Sequence, residues 1–199
     1  MSRREENKLE KLARIEDAAW TLFRELGFEA TTTKAVAHLA GIGSGTLFLY
    51  ARTKNELLVL LFRDELESIL SSRSATVPAG LDLVGRFVHV CRGFYERYAR
   101  DPELARRFVE LVFVVDGTSR ASMRALDRGF VVAITKAIES DKAAGILRAD
   151  VDAALLAKSF FAIYGVNVIE FLAGKNHDVD RAVATLERAL RMLIDGTRA

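Results

Sequence analysis

Apolar residues recur every three or four positions along almost the whole chain, and only two prolines interrupt its 199 residues. That period belongs to helices buried on one side, and so few helix breakers leave little room for a sheet. The expected fold class is all-α, with about nine helices. The first is expected from Asn7 to Leu26, with Ile15, Ala19, Leu22, Phe23 and Leu26 inward and Gly27 past its end. The second starts at Thr33, whose hydroxyl can cap free amides, and stops at Gly41. Ile42 and Gly43 make a turn, and Ser44 caps a third helix over Gly45 to Ala51. Thr53, Lys54, Asn55 and Glu56 ahead of the apolar run Leu57 to Phe62 form a capping box that opens the fourth.

Ser71 to Gly80 reads as the loop between two structural units. The fifth helix, Leu81 to Arg100, has two apolar rows and is therefore central, with His89, Arg86, Gly93 and Glu96 on its polar side. Asp101 and Pro102 open the sixth, which ends near Val115 at a turn of Asp116, Gly117 and Thr118. Three more follow: Ser119 to Ala144, a helix capped by Asp150 and ending at Gly174, and one from the Asp178 cap to Asp195. Residues 1–54 are expected to be one domain and 55–199 a second, with helix four bridging them.

Several function classes drop out on composition and motif. No 18 unbroken apolar residues occur, and Met1 to Lys11 alternates Arg, Glu and Lys without a signal-type apolar run, so no membrane span and a cytoplasmic location are expected. The lone Cys91 has no partner for a disulfide, and no Cys/His cluster has metal-ligand spacing, so neither metal nor cofactor is expected. No paired carboxylates, nucleophile with a base, or phosphate-cradling glycine loop emerges, which argues against an enzyme. A net charge of +2 is too small for a general polyanion binder, so any nucleic-acid contact must rest on locally placed groups.

Two short helices joined by a glycine turn have the geometry that presents a helix N-terminus to a DNA major groove. The amides at Ser44 and Gly45 suit a phosphate, because a helix start carries partial positive charge. From Ile15 to Phe62 the chain resembles the N-terminal domain of the tetracycline-repressor family of regulators. The matching residues are Ala18, Leu22, Phe23, Gly27, Thr31 to Thr33, Ala37, Ala40, Gly41, Gly45, Thr46, Leu47, Tyr50, Lys54, Leu57 and Leu58. The resemblance implies that Thr33 and Lys54 contact phosphates; their alternative roles are a helix cap and a solvated lysine.

Phe48 stands where the family commonly has tyrosine, and Ala51 where it has phenylalanine. Phe48 lacks a hydroxyl for a phosphate, which shifts backbone anchoring onto Tyr50 and Thr46. Base reading then falls to Thr46, Leu49 and the open backbone of Gly45, an apolar surface that favours thymine methyls and DNA shape. Trp20 or Phe28 is expected to fill the space that Ala51 leaves. Arg3, Arg4, Lys8 and Lys11 form either a basic arm toward a groove or, with Glu5, Glu6 and Glu10, a solvated segment. A scaffold protein whose first domain has lost DNA binding is the rival reading that the two departures keep open.

In the second half, bulky apolar side chains with a few polar groups fit a helix-lined site for a small, largely apolar effector. The candidates are Phe87, Cys91, Phe94, Tyr95, Tyr98, Phe108, Met123, Phe130, Phe160, Tyr164 and Asn167, with Asn167 the best polar group. Plain core packing is the competing account for each of them. Spare apolar rows at Leu155, Ala162, Val166 and Ile169, and at Val183, Leu186, Leu190 and Leu193, suit a four-helix interface between two copies. The resemblance implies the same homodimer, a palindromic operator in double-stranded DNA, and a repressor released when the effector binds.

Overall fold

The helix boundaries follow from local hydrogen bonding. In the computed structural model, which describes residues 2–114 and 118–195, the order is α1 (Arg3–Glu25), α2 (Thr33–Leu39), α3 (Ser44–Leu47), α4 (Lys54–Ala75), α5 (Leu83–Arg100), α6 (Pro102–Val114), α7 (Thr118–Ala143), α8 (Ala153–Ala173) and α9 (Val179–Asp195). The side chains of Arg4 and of residues 113–127 fall outside the description, so the Asp116 to Thr118 turn and Met123 cannot be compared with expectation.

α1 begins four residues before the expected Asn7. The Ser2 hydroxyl accepts from the Glu5 amide and the Glu5 carboxylate accepts from the Ser2 amide at 2.7 Å, a reciprocal cap inside a charged stretch with no apolar period to reveal it. The N-terminal basic residues therefore belong to a helix rather than to an extended arm. α2 is capped by Thr32, whose hydroxyl accepts from Ala35 N at 3.1 Å, leaving Thr33 as the first helical residue with its hydroxyl free of that duty. Gly41, at φ +64°, makes the left-handed turn out of α2 that a Cβ would strain. α3 is a single turn that ends at Leu47 instead of Ala51, and Phe48 to Tyr50 continue as tight turns.

The serine-rich stretch expected as a loop from Ser71 is still helix. The Ser72 hydroxyl donates to Ile69 O and the Thr76 hydroxyl to Ser72 O, so these side chains bond back to the turn before them and α4 runs on to Ala75. The caps of α5 and α8 are Asp82 and Asp152; the expected Asp150 pairs with Arg148 instead. Asp178 accepts from Arg181 N at the start of α9, as its position implied.

One apolar core runs without a break from Ile15 to Ile194, and Leu57, Leu58, Leu61, Phe62 and Leu66 of α4 belong to it. α5 packs against α4 and α9, and α7 against α4 and α8. Gly93, expected on the polar side of α5, is buried instead: a Cβ there would meet Ile69 Cγ2 at 2.6 Å, so glycine is what lets α4 and α5 close. α8 alone among the described helices is long and apolar enough to cross a membrane, and half of that stretch is buried inside the protein.

Candidate nucleic-acid interface, ligand core and their junction

α2 packs on α3, and Leu47 is fully buried beneath the pair. Beside it, Ser44, Gly45, Phe48 and Leu49 face solvent, Leu49 at 84 % exposure, while Thr33 and Thr46 are half-buried. Large apolar side chains this exposed lower the free energy of a monomer in water only when something covers them. The α3 start has Gly43 at the cap position with no capping side chain, so its first amides have no partner from that quarter. Ser44, expected as the cap, is the first helical residue.

Two expected anchors are engaged elsewhere. The Lys54 ammonium donates to Phe28 O (3.0 Å), Glu29 O (2.9 Å) and the Glu29 carboxylate (3.1 Å) and lies 4.7 Å from the centre of the Phe28 ring. All three of its N–H donors are spent, so its expected phosphate contact gives way to a positioning role: Lys54 ties the connector between α1 and α2 to the start of α4. Lys54→Met is expected to lower stability by about 1–3 kcal/mol in urea unfolding, since carbonyls lose a charged donor. The salt dependence of operator binding should keep its slope; a decrease by about one would restore the phosphate contact. The Tyr50 hydroxyl turns toward Lys8 O at 3.4 Å, a long contact with α1. Ala51 is buried. Of the two rings expected to fill its space, Trp20 packs edge-on against Phe62 and Phe28 against Phe23.

The ligand-core candidates whose side chains are described are all buried: Phe87, Cys91, Phe94, Tyr95, Tyr98, Phe108, Phe130, Phe160, Tyr164 and Asn167. They form two groups. Phe87 stacks on Phe130 and meets Phe160 edge-on, both at 5.3 Å, and Tyr164 packs against Phe87, Phe94, Tyr95 and Phe130. Tyr98 and Phe108 instead join Phe62 of α4, with Phe108 stacked on it at 4.6 Å. Within the first group the Tyr95 hydroxyl donates to Asn167 Oδ1 at 2.6 Å, and Tyr164 shares a hydrogen bond with Tyr98. Burial pushes the Tyr95 and Tyr164 phenols and the Cys91 thiol well above their ordinary values, so all three stay neutral.

The junction between the head and the larger helical body was invisible to periodicity. Arg97 of α5, only 3 % exposed, lies 4.5 Å from both the Trp20 ring of α1 and the Phe62 ring of α4. It pairs with Glu65 of α4 and, at 3.0 Å, with Asp101, which Arg24 of α1 also grips with two bonds at 3.0 and 2.9 Å. Burial works to raise the Asp101 carboxyl, but the bonds and charges of Arg24 and Arg97 hold it below the usual carboxylate range. Nearby, burial and the Asp64 charge push Glu16 up to about 7, and the two carboxyls share a hydrogen bond between α1 and α4. Asp101 had been read only as a helix cap; a buried arginine gives no signal in an apolar pattern.

The outer surface corrects the expected interface rows. Val183, Leu186 and Leu190 are buried inside the chain, because α9 spends its one apolar stripe on α5, and Leu193 is partly covered by the same core. Val183, Leu186 and Leu190 are therefore spent within their own chain, while Leu193 keeps part of its surface outside. On α8, by contrast, Leu155, Ala162, Val166 and Ile169 all face solvent, Leu155 at 62 % and Val166 at 58 %. Beside them a groove of about 350 Å³ runs between α8 and α9, lined by Ala162, Ile163, Val166, Asn167, Glu170, Thr185 and Ala189.

Comparison with known proteins places this architecture. Residues 15–61 match the sequence model of bacterial regulatory proteins of the tetR family. The HTH-type transcriptional repressor KstR of Rhodococcus jostii is 27 % identical over 95 % of this chain and 85 % of its own. Among solved structures, Thermus thermophilus FadR, a TetR-family repressor in complex with lauroyl-CoA, superposes with a TM-score of 0.75 at 24 % identity over 94 % of this chain and 95 % of that one. Bacillus subtilis FadR in complex with stearoyl-CoA gives 0.69 at 17 % identity over 94 % and 100 %. The matched segment spans α1 to α4, the part of the chain that exposes Phe48 and Leu49 beside the start of α3, and the fold likeness extends through the rest. Residues 15–61 are therefore similar to the DNA-binding domain of bacterial regulatory proteins of the tetR family, and the chain is a DNA-binding transcriptional regulator.

Proposed function

We propose that this regulator is a homodimeric repressor that leaves its operator when an acyl-CoA thioester enters the helical body. Residues 1–54 read the DNA through Thr33, Ser44, Gly45, Thr46, Phe48 and Leu49, with Lys54 and Tyr50 holding that surface in place. Residues 55–199 bind the effector and dimerise, and α4 belongs to both. The observation that carries the reading is the pairing of an exposed apolar head at Phe48 and Leu49 with an exposed apolar row on α8, the two surfaces such a protein needs for DNA and for a second copy. The aromatic lining around Phe87, Phe94, Phe130, Phe160 and Tyr164 suits an acyl chain, and two FadR relatives are described with lauroyl- and stearoyl-CoA bound.

Two copies joined along α8 and α9 present two α3 turns to one face of a duplex, and half-sites about 34 Å apart then follow from one helical turn of DNA. A cytoplasmic location goes with this role. Acyl-CoA acts by favouring a dimer with wrongly spaced heads, to the extent that it binds that form better. Selection from random duplexes with ligand-free protein at moderate salt is expected to enrich one palindrome, and lauroyl-CoA to release it. Failure to enrich any palindrome overturns the repressor reading; enrichment without release by any acyl-CoA overturns the effector alone.

A further inference from the structure

Resting on the operator reading, we infer that the N-terminal turns of α1 form a second DNA contact, in which Lys8, Lys11 and Arg3 hold backbone phosphates flanking the bases met by α3. The charges of this segment are interleaved along the sequence, but they separate once it is helical. At about 100° per residue, Arg3, Lys8, Lys11 and Arg14 occupy about 140° of the helix circumference, and Glu5, Glu6 and Glu10 about 140° on the other side. A near-even count of acids and bases therefore hides a one-sided field. Two contacts turn the basic side toward the helix-turn-helix. The Tyr50 hydroxyl reaches Lys8 O at 3.4 Å, and a Cβ at Gly41, in the turn out of α2, would lie 3.7 Å from Arg14 Nη1.

The strip also projects. From Ser2 to Lys11 every described side chain is exposed, and Ile15 is the first in α1 to be buried. α1 thus overhangs its own core by about 15 Å of helix. The reciprocal cap between Ser2 and Glu5 keeps that overhang helical although its side chains lie in solvent. A duplex carries about one negative charge per 1.7 Å of its axis, so an exposed row of cations beside α3 meets phosphate there. Lysine ammoniums bind phosphate as mobile point charges, which adds affinity without base preference. Lys54, spent on the Phe28 and Glu29 carbonyls, leaves that duty to α1.

The test uses full-length, ligand-free protein and the palindrome that it enriches from random duplexes, in anisotropy titrations at about 50 to 200 mM salt. Lys8→Gln combined with Lys11→Gln should flatten the salt slope by about two for each head and weaken binding at least about tenfold. The Tm and the enriched palindrome should stay as they are, because glutamine keeps the helix propensity of lysine and phosphates carry no base identity. With the native protein, ethylating the phosphates just outside the recognised bases should interfere with binding; with the double variant it should not. An unchanged slope, flanking phosphates whose ethylation leaves native binding intact, or a different palindrome selected by the variant overturns the inference while the operator reading stands. If the native protein enriches no palindrome, both fall together.

Discussion

Arg97→Ala should cost about 3 kcal/mol of unfolding free energy, below the full penalty for breaking a wholly buried pair because water reaches part of Glu65. The guanidinium lies between Trp20 and Phe62 and is hydrogen-bonded to Glu65 and Asp101, so removing it leaves the part-exposed Glu65 carboxylate without this partner and uncovers two rings at once. Asp101 keeps Arg24, which limits the damage to Glu65 and the rings. At this chain length the loss corresponds to a Tm lower by roughly 10 °C. Differential scanning calorimetry measures it, and the sole tryptophan of the chain, Trp20, reports independently because it touches the substituted side chain. A loss below about 1 kcal/mol would mean that solvent reaches the junction and screens it as a surface pair.

The second large effect concerns the outer face of α8. Val166→Glu combined with Ile169→Glu should halve the mass measured by sedimentation and reduce operator affinity by 100-fold or more, because a lone head holds one half-site and loses the effective concentration that its twin provides. Both side chains face solvent in the single chain, so the folded protein should keep its Tm at low concentration. Leu186→Glu is the contrasting control: that residue is fully buried against its own chain, and the charge there unfolds the protein instead of separating two copies. A doubly substituted protein that still sediments as a dimer places the interface elsewhere.

Much of this molecule is readable from its residues. All the helices anticipated from the spacing of apolar side chains occur among the described residues, and the stretch from Ile15 to Phe62 that resembles the tetR family coincides almost residue for residue with the matched segment 15–61. The errors cluster at helix ends. Thr32 and Thr33 have equal chemistry as caps, as do Asp150 and Asp152, and only backbone direction selects between them. α1 starts early because its cap lies in a charged stretch, and α4 ends late because its serines bond back to carbonyls.

Partners at a distance were harder. Lys54 was legible as a cation near the DNA surface, but nothing in its neighbours along the chain points to the Phe28 and Glu29 carbonyls that occupy it. Tyr95 and Asn167 were each legible as polar groups on apolar faces; that they bond to one another depends on how α5 and α8 cross.

What the amino-acid order determined by itself was therefore the helical class, the helix-turn-helix with its regulator register, and most of the buried side chains, although Leu26, expected inward at the end of α1, is 54 % exposed. These rest on local periodicity and on interactions within a few residues, which each segment carries with it. Tertiary structure alone decided which neighbour each apolar stripe met: α9 gave Val183, Leu186 and Leu190 to α5, and α8 kept Val166 and Ile169 for the outside. It also decided that Arg97 should be buried between two rings, and that Lys54 should turn inward. An apolar stripe records that burial is favourable without naming what covers it, and a charge finds its partner only when the helices carrying both have packed.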